Sequence, residues 1–190
     1  MAAEQMGRTT QPPTAGSLAG ILDVLETDDD FRALIAGEVD EPESDTDPSI
    51  TVGVPEGLRP ALAAGPSGNR PVALVVASSR EAEETVESIR SWYGGDPNDV
   101  AQLEAWETLP HERLSPRADT VASRMAVFRR LKHPEEGSSL FGPIRILVMP
   151  VRSLIQPVVA GLGDVEPLVF AQGEELPLDE AVERLVRNAY

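Results

Sequence analysis

The sequence has no cysteine. Disulfides, thiolate metal sites and a cysteine nucleophile are therefore excluded. Histidine is scarce too: His111 and His133 are the only two, so a histidine-based metal centre lacks ligands and a suitable spacing. Aromatic residues make up 4% of the 190 residues, so aliphatic side chains must build the core that a 41% apolar content supports. No apolar run reaches the roughly 18 residues that suggest a membrane span. Met1 to Thr14 lacks the apolar segment of a secretory signal, and a cytoplasmic protein is expected. Positive charge is also short, with 16 Lys+Arg against 32 Asp+Glu and a net charge of −16. Binding a nucleic-acid backbone calls for a basic stripe, and long-range repulsion opposes it here. The local cluster Arg124, Arg129, Arg130 and Lys132 reads as a solvated helix face, with an intramolecular or partner contact as the alternative.

Four stretches differ in texture. Residues 1–15 carry little apolar periodicity and read as a disordered tail. Residues 16–48 hold two short helices, capped by Ser17 and Asp28, and then an acidic, proline-punctuated linker. Packed onto a sheet domain, the helical pair fits an adaptor. Residues 49–165 alternate strand and helix. Strands are expected at Ile50 to Val54, Val72 to Val76, Asp99 to Leu103 and Ile144 to Met149. Helices are expected at Gly57 to Ala64, from Ser78 or Ser79 to Trp92, at Asp119 to Leu131, and at Val151 to Val159 with a break at Pro157. Ser78 and Glu81 have the spacing of a capping box. In the third of these helices Val121, Met125, Phe128 and Leu131 form the apolar face. Such alternation predicts an α/β fold with a parallel, doubly wound sheet. Residues 166–190 offer an edge strand from Pro167 to Ala171, a turn at Gly173 and a helix faced by Leu178, Ala181, Val182, Leu185 and Val186. That β–α unit cannot complete a sheet alone, so the chain reads as cut inside a second domain.

Two segments invite a chemical reading. A phosphate-binding loop needs glycines, a lysine and a magnesium-binding hydroxyl in the pattern G-x-x-x-x-G-K-[ST]. The nearest candidate, between an expected strand and helix, has Gly53 and Gly57 but sets Arg59 and Pro60 where lysine and Ser/Thr are needed. Glu56 would also repel phosphate, so the loop is degenerate. The second segment, Ala105 to Pro116, is too charged and turn-rich for core. His111, Glu112 and Ser115 have the residue types of a catalytic triad, but neighbours on one loop rarely converge on one atom. A rigid loop held by local hydrogen bonds and proline stiffness is the simpler reading, with Trp106 packed beneath it and its indole N–H on a carbonyl.

Trp106, Glu107, Leu109 and Pro110, then Ser115, Pro116, Asp119 and Arg124, resemble the WETLP…SP…D…SR signature of the bacterial transcription-repair coupling factors. The run Leu147 to Pro157, the Glu166-Pro167-Leu168 triplet and Arg184-Leu185-Val186 are similar to family sequence of the actinobacterial kind. The resemblance implies a P-loop-like fold akin to domain 1a of the repair protein UvrB, without a working nucleotide site. It further implies that residues 166–190 begin a UvrA-recruiting domain whose contact residues lie beyond Tyr190. It assigns this chain a non-catalytic scaffold role, with no cofactor and no metal. ATP with magnesium, RNA polymerase and double-stranded DNA would belong to other domains of a full-length translocase that clears stalled polymerase and recruits UvrA. Two other readings compete: a nucleotide- or DNA-binding helicase-like fragment, and a stand-alone protein-interaction adaptor.

Overall fold

Short apolar runs become three parallel strands. In a computed structural model, which describes residues 17–36, 51–65, 70–108, 115–138, 140–167, 173 and 175–187, β1 is Val72–Val76, β2 is Val100–Gln102 and β3 is Ile146–Pro150. The sheet order is β1-β3-β2, with Ile146 opposite Val72 on one side and Val100 on the other. The central strand is buried along its whole length, as expected for a parallel strand covered on both faces.

Alternate residues of β3 feed two separate cores. Ile146 and Val148 pack with Val100 against Ala82, Val86 and Ile89 of α4 (Ser79–Trp92). Leu147 and Met149 pack with Ala101 and Leu103 against Val127 of α5 (Ala118–Lys132). The chain thus steps from β1 over to β2 through α4 on one face, then back to β3 through α5 on the other. Opposite faces for opposite steps keep both crossovers of one hand. This is the expected parallel, two-sided α/β arrangement. Ser78 caps α4 by accepting the Glu81 N–H at 3.2 Å, while Glu81 accepts the Ala77 N–H at 3.1 Å.

The N-terminal helices α1 (Ala19–Leu25) and α2 (Asp29–Ala36) form, Asp28 accepting the Phe31 N–H at 2.9 Å. The N-cap of α1 is Leu18 and not Ser17, whose hydroxyl accepts the Ala19 N–H at 3.2 Å. Leu22 is buried with Trp92 of α4 and with Ala61 and Ala64 of α3 (Arg59–Ala64). The pair therefore does sit on the α/β unit. After β3 a short α6 (Val151–Ile155) stops before Pro157, and α7 (Leu178–Arg187) comes after the turn at Gly173, whose φ is +90°. The expected edge strand at 167–171 falls mostly outside the described residues.

Two expectations fail. Thr51 to Val54 is not a strand: it runs without regular structure into a 3-10 turn, Glu56–Leu58, that leads to α3. Five residues interrupted by Gly53 and stopped by Pro55 need a neighbour to hold them as a strand, and no described strand pairs with them. The buried face of α5 is also offset by one residue from the expected one. Thr120, Arg124 and Val127 are buried, whereas Leu131 is 49% exposed.

Candidate functional site

The signature segment begins where β2 ends. Leu103 extends the ladder by one bond, its N–H reaching the Val148 carbonyl at 2.9 Å. Its own carbonyl accepts the hydroxyl of buried Ser153 from α6 at 2.8 Å. Three residues on, the Trp106 backbone forms a reciprocal pair with the Gln156 side chain. The Trp106 N–H donates to Oε1 at 2.8 Å, and its carbonyl accepts from Nε2 at 3.2 Å. These bonds fasten the segment to the end of α6.

Its other anchor is α5. The Thr120 hydroxyl donates to the Glu107 carboxylate, and Arg124 Nη1 donates to the Glu104 carbonyl. The Thr120 bond, ahead of all other influences, holds the Glu107 carboxyl below its ordinary range. Arg124 packs over two rings, its Cζ 4.4 Å from the centroid of Trp106 and 5.6 Å from that of Phe128. A desolvated guanidinium over an indole contributes on the order of 2 kcal/mol. Burial lowers the Arg124 pKa and the Glu104 charge partly offsets it, so the group stays a cation.

Reading the basic cluster as a solvated face therefore fails for Arg124 and Arg130, although Lys132 is exposed. Arg124 is fully buried, and Arg130 is half-buried with its hydrogen bonds on carbonyls. Arg130 Nε donates to the Gly142 carbonyl at 2.7 Å, and Nη2 to those of Asn98 and Pro143 at 2.5 and 3.1 Å. It ties the entrance of β2 to the entrance of β3. Burial depresses its pKa, and Asp99 and Asp96 oppose that shift. The physical reason is shared: a long aliphatic stem and a planar fork let arginine serve as packing and as a carbonyl clamp at once.

The other signature positions that are described lie at or near the surface. Ser115 and Asp119 are exposed and Pro116 is half-buried, with Asp119 3.4 Å from Arg117. Leu109, Pro110, His111 and Glu112 lie outside the described residues. Among the described residues no cluster of three or more His, Asp or Glu could hold a metal. The phosphate-loop candidate has another setting than the expected strand-to-helix turn. Gly53 lies in an irregular stretch, Gly57 in the 3-10 turn, and Arg59 and Pro60 open α3, with no described strand feeding them. Pro60 has no N–H to offer phosphate, and Glu56 adds like charge. At the turn that does come after a strand, Ala77–Ser78, Ser78 and Glu81 already occupy the amides of Ala77 and Glu81.

No protein-family model matches the chain. Among characterised proteins, it is 37% identical over 173 residues, 91% of its length, to the transcription-repair-coupling factors of Mycobacterium bovis and Mycobacterium tuberculosis. It is also 31% identical over 90 residues, 47% of its length, to that of Escherichia coli. The chain belongs to the transcription-repair-coupling factor family. It spans 13% of the length of the mycobacterial members it matches. Of the described WETLP-type residues Trp106, Glu107 and Thr108, the first two lock a segment between α5 and α6. No helix among the described residues is long and apolar enough to cross a membrane.

One more tie secures the end of α5. Lys132, the only lysine of the sequence, contacts Asp164 Oδ2 at 2.5 Å, and His133 Nε2 meets Oδ1 at 2.8 Å. The bond from Lys132, then that from His133, holds the Asp164 carboxyl below the usual range. A depressed folded-state pKa stabilises above the unfolded value and loses that contribution as pH falls through the folded one. Asp164→Asn is thus expected to flatten the acid limb of the stability curve, with the two proteins converging below about pH 4. Urea midpoints from about pH 2.5 to 7 read this directly, and parallel curves would contradict it.

Proposed function

We propose that this chain is the N-terminal scaffold part of a transcription-repair-coupling factor. In this reading residues 49–165 form a UvrB-like, P-loop-like α/β domain whose nucleotide site has lapsed, and residues 166–190 open a UvrA-recruiting domain. The whole factor would displace stalled RNA polymerase and bring UvrA to damaged DNA. ATP-driven movement on double-stranded DNA would rest on regions this sequence does not include. The observation that carries the proposal is the 37% identity along 91% of the chain. Two features support the non-catalytic part: the segment a loop chemistry would use is fastened by Ser153, Gln156, Thr120 and Arg124, and the phosphate-loop candidate lacks both strand and lysine.

The test is equilibrium binding of ATP with magnesium, and separately of a short DNA duplex across a salt series, to the 190-residue chain. The scaffold reading expects no saturation by millimolar ATP and no steep negative dependence of duplex binding on salt. Saturable ATP binding abolished by Arg59→Ala would establish the helicase-like alternative instead. A steep salt slope would do the same for a DNA-binding one.

A further inference from the structure

Two apolar surfaces of this chain are left facing water. One is a groove of about 340 Å³, lined by Phe128, Leu131 and Lys132 of α5 and by Val158, Val159 and Leu162 beyond α6. Val159 is 77% exposed there. The other is a single row on α7. Leu178, Val182 and Val186 recur every four residues and so stand in line over about 12 Å of helix. Leu178 is 80% exposed, and Val182 and Val186 are exposed with it, whereas Ala181 on the adjoining row is buried. A row at this spacing is the ridge that a helix sets into an apolar groove.

Within one copy both surfaces are exposed, so neither covers the other. We propose that they meet between two copies of the chain, α7 of each seated in the groove of its partner. The exchange is reciprocal about a two-fold axis, covers both rows and both grooves, and uses each chain as it stands. Area favours this closed pair. The exposed part of the row amounts to a few hundred Å², the size of a functional patch on a monomer. Two such contacts, counted on helix and groove, approach the roughly 1,600 Å² of a standard interface, while one alone reaches only the size of a weak encounter. Charge agrees at the edge, since Asp179 adjoins the row on α7 and Lys132 lies along the groove. The net charge of −16 on each copy opposes their approach, so the pair forms at high concentration and in salt. The inference is independent of the proposed scaffold role.

Sedimentation velocity of the 190-residue chain, from about 5 to 500 μM in roughly 0.3 M salt, tests it. A monomer–dimer equilibrium is expected. Val182→Glu puts an unpaired charge in the row and Val159→Glu puts one in the groove, and each should weaken the dimer at least about tenfold. Both positions are exposed, so the fold is expected to survive, and urea midpoints check it. Should either variant fail to fold, Val182→Ser or Val159→Ser replaces it. An equal mixture of the two variants keeps one intact helix for one intact groove. It should associate more tightly than either variant alone and less tightly than the unaltered chain. A chain that stays monomeric throughout, a dimer indifferent to either variant, a mixture no tighter than its components, or assemblies that grow beyond the dimer would each overturn the proposal.

Discussion

Arg124→Ala is expected to lower unfolding stability by about 3 kcal/mol, among the larger single-residue losses in this chain. Truncation removes the cation beneath Trp106, the donor to the Glu104 carbonyl and the stem that fills the space beside Phe128. Only part of that loss is electrostatic. Two of the three guanidinium nitrogens make no hydrogen bond among the described residues, so their desolvation cost is relieved when the group is deleted. Arg124→Met, which keeps most of the stem and adds no buried charge, should therefore cost only about 1 kcal/mol. Urea unfolding of both variants separates the contributions. Equal losses in the two would mean that the guanidinium, and not packing, holds the segment; a loss under about 0.5 kcal/mol for alanine would mean that neither does.

The contrast between Arg124 and its helix explains what the sequence conveyed and what it hid. β1, β3 and α4 were legible because each is announced by its own residues: unbroken apolar runs for the strands, Ser78 and Glu81 for the start of the helix. The resemblance also singled out Trp106 and Arg124, which lie against each other, and Glu107, which bonds Thr120. Their environment was another matter. On α5 the apolar residues Val121, Met125 and Phe128 recur at helical spacing, yet Thr120, Arg124 and Val127 carry the buried stripe one position away. Hydrophobic periodicity cannot find such a stripe, because two of its three members are polar and their burial depends on partners 13 and 20 residues distant in sequence. The failed strand at Thr51 to Val54 has the converse cause. Thr51, Val52 and Val54 suit a strand despite Gly53, but a strand is a property of a pair, and pairing is not written in one segment.

Gly163→Ala is the second substitution expected to act strongly, with a loss of about 2–3 kcal/mol. Gly163 is buried in the 3-10 turn Leu162–Asp164, and a Cβ there would sit 2.7 Å from the Phe128 carbonyl oxygen and 3.3 Å from the Lys132 Cβ. The oxygen is backbone within α5, so it cannot rotate away; the turn must lift from the helix instead. Gly161, two residues earlier, supplies the comparison. It has a φ of +84° but its nearest neighbour to a Cβ is 3.9 Å away, so Gly161→Ala meets backbone strain without a clash and should cost about 1 kcal/mol. A lifted turn also carries Asp164 out of reach of Lys132 and His133. Asp164→Asn should then add nothing further at neutral pH in the Gly163→Ala background, although it costs stability in the wild type. Strict additivity of the two changes would place the clasp outside the turn's grip on α5, and a Gly163→Ala variant as stable as Gly161→Ala would mean that the turn can yield without leaving the helix.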